Sequence, residues 1–142
     1  MIKHQGGCHC GQIRFTTEYD PMMIFQCNCT RCRRMAGTVS VGAMYSTNEI
    51  EITGNPKKYS CNGGSGMPVH NYFCQECGTR VYAMPEAMEG FMGVTLGAFD
   101  DPLQFEPRAE IFANYKLRSL SDDGCIKDTF EEAAGAERIQ LR

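Results

Sequence analysis

The chain has no tryptophan in its 142 residues and only three histidines. Without Trp, a stacking platform for nucleic-acid bases would rest on eight Phe and six Tyr. No long basic run is present either. The 14 Lys and Arg stand against 17 Asp and Glu, for a formal net charge of −3. A general nucleic-acid binder shows a basic face or tail, so the balance argues against that role. No apolar stretch approaches the roughly 20 residues that cross a bilayer. The opening residues MIKHQGGCHCGQ lack an apolar h-region and a small-residue cleavage site. The expectation is a cytoplasmic protein with no membrane segment. Low-complexity tracts and linker-like composition shifts are missing as well, and residues 1–142 read as a single domain.

What the sequence has in excess is cysteine, nine in all. The number is odd, and seven of the nine fall in C-x-C or C-x-x-C sets, a pattern of metal binding in the cytosol more than of a secreted disulfide scaffold.

Elsewhere the periodicity is strand-like. QIRFTTEY alternates Ile13, Phe15 and Thr17 against Arg14 and Thr16. TVSVGAMYS, EIEITG, PKKYSC, VHNYFC, TRVYAM, FMGVTLGAF and AEIFAN are further strand candidates, and Gly54-Asn55-Pro56 is a turn signal. Two short helices are expected. One lies in CTRCRRMAG with Thr30 as its N-cap, and one in DTFEEAAGAE with Asp128 as its cap. The fold class is therefore mainly β. The nine methionines read as core and surface filler.

The cysteines form three clusters. Cys8 and Cys10 are followed by Gly11, and Cys74 and Cys77 by Gly78. A pair that turns back through a glycine with positive φ presents both sulfurs to one ion. Two such knuckles make a tetrahedral four-cysteine zinc site of structural type. Cys27, Cys29 and Cys32 are then left without a cysteine partner. Three protein ligands and one open position is the pattern of a catalytic zinc. The other reading is a second structural zinc, completed by His, Asp or Cys61 from elsewhere. An all-thiolate site is soft, so its natural fourth ligand is another thiolate and its natural substrate carries sulfur. Arg31, Arg33 and Arg34 stand beside it. Arg33, next to Cys32, is the candidate to grip a substrate carboxylate, which Arg does bidentately. His9 sits between two ligands and is expected to point away from the metal, and His70 is read as strand filler.

GGCHCGQIRF, CNCTRCRRMAG, YFCQECGTRVY and GVTLGAFDDP, taken in order, resemble the glutathione-dependent formaldehyde-activating enzyme family, whose domain is shared with centromere protein V. The likeness runs from about Gly6 to Lys116, which sets a core of about 6–116 and a tail of 117–142. It implies an Mss4-like zinc-containing β fold with two zinc ions. Cys8, Cys10, Cys74 and Cys77 match the family's structural ligands, and Cys27, Cys29 and Cys32 its catalytic ones. The implied activity is that of a carbon–sulfur lyase joining glutathione and formaldehyde as S-hydroxymethylglutathione. Gln26 and Asn28 stand where the family often has histidine, and Phe112 where it often has tryptophan.

Three classes of function follow: an enzyme adding a small thiol to an aldehyde or reversing that, a zinc-stabilised binding module without catalysis, and a thiol redox protein using C-x-x-C. Metal content separates the last from the first two.

Overall fold

A computed structural model describes residues 1–120 and 124–133. Its strands are β1 (His4–Gly7), β2 (Arg14–Thr17), β3 (Met23–Cys27), β4 (Ser40–Ser46), β5 (Ile50–Thr53), β6 (Lys57–Asn62), β7 (Pro68–Phe73), β8 (Arg80–Pro85), β9 (Phe91–Thr95), β10 (Ala109–Ile111) and β11 (Asp128–Thr129). One α-helix, α1 (Thr30–Ala36), and a few short 3-10 turns complete the described residues. No helix among them is long and apolar enough to cross a membrane.

The strands form two sheets. The smaller has the order β1-β2-β5 and is antiparallel. The larger has the order β11-β10-β3-β4-β9-β8-β7-β6, and only the β3–β10 and β10–β11 pairs are parallel. One face of the larger sheet packs on the smaller. Ile13 from the β1–β2 turn and Phe15 from β2 share a buried cluster with Ile24, Tyr45, Val81 and Val94 from the large sheet. Side chains alternate across a strand. The opposite face of the large sheet therefore carries Phe25, Cys27, Gly42, Met44 and Gly93, and the candidate site lies there. Gly6 lets β1 approach the chain at Ala98 and Phe99: a Cβ at that position would lie 2.1 Å from the Ala98 carbonyl oxygen.

Each expected strand forms; β6, β7 and β8 keep the length of their motifs shifted by one residue, and the others are shorter. Two strands lacked a legible signal. β1 is HQGG, with no β-branched residue, and forms because β2 pairs along it from His4–Thr17 to Gly7–Arg14. β3 is a short apolar run fixed by β4 on one side and β10 on the other.

Two helix expectations are corrected. The cap of α1 is Cys29, not Thr30. Cys29 has extended backbone (φ −62°, ψ 157°), and its sulfur accepts from the Cys32 amide at 3.3 Å, as an N-cap oxygen does. At the C-terminal side, Asp128 and Thr129 form β11, not a helix. The backbone groups there find partners in β10 and just after it: the Phe130 amide donates to the Glu110 carbonyl at 3.0 Å, while the Ala113 and Phe112 amides donate to the carbonyls of Phe130 and Glu132 respectively. The rest of the expected helix, from residue 134, lies outside the described residues.

Candidate metal centres and the cavity beside them

The first and third cysteine clusters meet, although Cys10 and Cys74 are 64 positions apart. The β1–β2 turn and the β7–β8 turn are built alike. In the first, the Cys8 amide donates to the Ile13 carbonyl, the Gly11 amide to the Cys8 carbonyl, and the Ile13 amide to the Cys8 sulfur at 3.2 Å. In the second, Cys74 donates to Thr79 and Gly78 to the Cys74 carbonyl, each at 2.9 Å. Gly11 and Gly78 close the turns at φ 85° and 76°, a region open to glycine.

The four sulfurs lie within 4.8 Å of one another, with Cys8–Cys10 and Cys10–Cys74 each 3.6 Å apart. A tetrahedral zinc with bonds of about 2.3 Å needs sulfurs roughly 3.8 Å apart, so the donor set fits. Hydrogen bonds from the Thr79 hydroxyl and amide pull Cys77 down to about 5, while at Cys10 the pull of the Gln12 backbone is outweighed by burial and by hydrogen bonding with Cys74, Cys8 and Cys77, which push it up to about 12.

The middle cluster is also assembled. The sulfurs of Cys27, Cys29 and Cys32 lie within 4.8 Å of one another, and among the described residues no His, Asp, Glu or further Cys joins them. Cys27 ends β3, Cys29 caps α1, and Cys32 sits in the helix's first turn. Hydrogen bonds from the Cys27 and Cys32 thiols hold Cys29 down at about 2, and the same sharing pushes Cys27 well above its usual range. Sulfurs this close share protons, and a cation bound among them displaces such protons. Cys32 ends above its ordinary value: the Cys27 hydrogen bond pulls it down, but the Cys29 sulfur and burial outweigh that pull. The Asn28 amide and side chain both donate to the Ile111 carbonyl, at 3.1 and 3.2 Å, which locks β3 to β10 beside the triad.

Cys27, Cys29 and Cys32 line a cavity of about 250 Å3 on the outer face of the large sheet. Its charged lining residues are Arg31 and Arg80. Their positive charges bear on Cys29 and Cys32 respectively. Arg31 sits over the Phe112 ring, 5.7 Å from its centre. Arg80 is held by Asn71 Oδ1 at 3.1 Å and Ser40 Oγ at 3.0 Å. Phe112 is the one non-glycine with positive φ among the described residues (φ 54°), and it packs against Cys27 and Cys29. Such a conformation costs about 1 kcal/mol or more and persists only where its surroundings impose it.

Arg33, which the sequence offered as the substrate-gripping cation, does not line the cavity; it is half-buried, and its amide donates to the Cys29 carbonyl at 2.9 Å. The arginines that do line it are Arg31 and Arg80. Arg31 was one of three neighbouring arginines, and only the helix phase tells them apart. Arg80 follows the second knuckle by three residues, where nothing but the β8 register aims it at the triad. Cys61 lines the same cavity but stands outside the triad. His9 is exposed. His4 bonds Asp20 at 2.9 Å, and His70 lies between Ser60 and Glu86 at 2.6 and 2.9 Å, in neither cysteine cluster.

Comparison with known proteins gives three findings. A protein of Emericella nidulans described as "Putative glutathione-dependent formaldehyde-activating enzyme" is 28% identical over 90 residues, 61% of this chain. The chain spans 45% of that relative's length. A crystal structure of a Rhodobacter sphaeroides protein, a structural-genomics target, superposes with a TM-score of 0.55 at 16% identity, covering 89% of this chain and 98% of the other, and so shares the fold. The family model described as glutathione-dependent formaldehyde-activating enzyme matches residues 3–115. With most of its length so matched, and both cysteine clusters assembled within the match, the chain belongs to the glutathione-dependent formaldehyde-activating enzyme family.

Proposed function

We propose that this protein is a zinc-dependent carbon–sulfur lyase acting on the adduct of a small thiol, glutathione-like, with an aldehyde. The observation that carries the reading is the buried triad of Cys27, Cys29 and Cys32, which opens on a cavity and has no fourth protein ligand among the described residues. Cys8, Cys10, Cys74 and Cys77 would hold a structural zinc and the triad a second one. Zinc on the triad would supply a soft Lewis acid with one position for an incoming thiolate.

The protein's own residues do the rest. Cys27, Cys29 and Cys32 give up their remaining protons on loading. Arg31 and Arg80 offset the negative charge that three thiolates gather there. Arg31 is placed to take a carboxylate of the thiol, and Arg80, already braced by Asn71 and Ser40, keeps its orientation without substrate. The cavity holds the carbonyl carbon against sulfur. In the forward direction the S–C bond forms and the carbonyl oxygen takes a proton; the reverse cleaves that bond and returns the thiol.

The test is exchange spectroscopy on glutathione with formaldehyde, because the two combine without an enzyme and only the rate is diagnostic. The wild type should accelerate exchange, and Cys29→Ser should not. Equal rates for the two proteins would instead favour a non-catalytic zinc-stabilised binding module.

A further inference from the structure

An irregularity in β8 sets one cation apart. Side chains alternate along a strand, and Ala83 lines the cavity. A regular pleat would turn Arg80, three residues before it, toward the core between the sheets. The strand does not stay regular. Tyr72 pairs with Tyr82 and Phe73 with Arg80, which leaves Val81 as an extra residue on β8. Val81 and Tyr82, neighbours in sequence, both enter the core cluster, and Arg80 comes out on the cavity side. Bulges of this kind re-aim a side chain and gather beside active sites.

The re-aimed guanidinium is then held in place. Its Nε donates to Asn71 Oδ1 at 3.1 Å and its Nη1 to Ser40 Oγ at 3.0 Å. Asn71 is 2% exposed, and its own Nδ2 donates to the Tyr59 and Val69 carbonyls, so the brace is anchored in the sheet. Ser40 stands directly opposite Cys27 in the β3–β4 pair, where Cβ atoms lie about 5 Å apart. The bond to Ser40 therefore brings Arg80 to the edge of the triad, within electrostatic reach of Cys32. A guanidinium carries five N–H donors. Asn71 and Ser40 engage two of them, and no Asp or Glu among the described residues lines the cavity to take the others.

Three cysteine sulfurs and an incoming thiol sulfur make up the four ligands of a tetrahedral ion. The aldehyde oxygen must then find its partner on the chain. It needs one, because the carbonyl electron pair moves onto oxygen as sulfur bonds the carbon. Donors fixed in advance serve such developing charge best. Arg80 is braced by two side chains, whereas Arg31 rests on the face of the Phe112 ring.

We infer that Arg80 is the catalytic residue that receives the aldehyde oxygen, with Asn71 and Ser40 as its positioning residues. This rests on the aldehyde–thiol chemistry proposed above and adds the electrophilic half of that reaction. The thiol proton is released, the sulfur lone pair forms the S–C bond, and the negative charge gathers on oxygen against Arg80. A proton from water then completes the hydroxyl. Arg80 keeps its own protons throughout.

Calorimetry on the zinc-loaded protein tests the placement without relying on turnover. Mercaptoacetate and its methyl ester both offer a thiol, and only the first adds an anion, one atom further from sulfur than the adduct's oxygen. The two thiols differ in acidity, but equally for every variant. Their affinity ratio should fall about ten- to a hundredfold in Arg80→Met, the worth of a charge-assisted hydrogen bond, and stay within about twofold of wild type in Arg31→Met. Exchange spectroscopy on glutathione with formaldehyde supplies the second readout. Arg80→Met should lower kcat about a hundredfold, as loss of one oxyanion donor does, with little change in the KM for glutathione. Ser40→Ala removes one brace and should fold even where Arg80→Met does not. It should lower kcat at unchanged KM, a split that a merely structural loss would not give. A mercaptoacetate ratio that follows Arg31 in place of Arg80, or a kcat that either variant keeps, overturns the role and leaves the lyase reading standing. Exchange accelerated by none of the proteins, the wild type included, overturns the lyase reading and the role with it.

Discussion

Replacing Cys74 and Cys77 by serine together removes one of the two knuckles that join the sheets. Cys8 and Cys10 belong to the β1–β2 turn of the small sheet, Cys74 and Cys77 to the β7–β8 turn of the large one. A metal bound by all four closes 64 positions of chain between Cys10 and Cys74. Treated as a cross-link, that closure removes about 4 kcal/mol of unfolded-chain entropy at 25 °C. A domain of this size is stable by about 5–15 kcal/mol in total, so the loss is a large share before any bond energy is counted. With a urea slope of about 2 kcal/mol per molar, the unfolding midpoint should fall by about 2 M. The assay is urea titration of the purified proteins followed by far-UV circular dichroism. Cys61→Ser, which touches neither cluster, is the control and should stay close to the wild-type midpoint. A double variant that keeps its midpoint within about 0.5 M of wild type would refute the reasoning, because the sheets would then be held by their apolar contacts alone.

Other perturbations follow from local geometry. Gly6→Ala forces a Cβ to within 2.1 Å of the Ala98 carbonyl oxygen; overpacking against backbone should cost about 3 kcal/mol, read as a lowered melting temperature. Glu110 is buried and accepts from Gln26 at 2.8 Å, Lys116 at 3.1 Å and Thr129 at 3.3 Å. Lys116→Met should therefore destabilise the β3–β10–β11 edge by about 2 kcal/mol, the cost of leaving a buried acceptor underpaired, and hydrogen exchange should rise first in that edge. Asp100 is held below the usual carboxylate range by the hydrogen bond from Arg14. Its contribution is present above the ordinary carboxylate pKa and is lost as pH falls through the lowered one, so Asp100→Asn should flatten the acid side of the stability profile.

The cysteine sites were legible in the sequence because their chemistry is written in local spacing. A C-x-C-G and a C-x-x-C-G need only meet, and the remaining three thiols fall within six residues. Most strands were legible too, since β-branched and aromatic residues alternate along them. What the sequence hid depends on pairing between distant segments. HQGG becomes β1 only because β2 lies alongside it. The stretch at Asp128 has helix-forming neighbours, yet β10 offers its donors partners and a strand results. That Arg31 and Arg80 line the cavity and Arg33 does not depends on helix phase and on the register of β8. The cavity is a further case: Gly42, Ala83 and Gly93, which line it, lie in three different strands, and each alone is an ordinary small residue.

The central claim is that the triad of Cys27, Cys29 and Cys32 is a metal site with a position left for sulfur. Cadmium-113 resonance of the cadmium-exchanged protein tests it most directly, because each bound ion gives its own signal and reports its own ligands. Two resonances are expected. One, from the four-sulfur site, should ignore added glutathione, and the other should move toward the position of the first as a fourth sulfur arrives. Cys29→Ser should abolish the moving resonance and keep the stationary one. Two resonances that both stand still at saturating thiol would contradict the account, and the triad would then be a closed structural site.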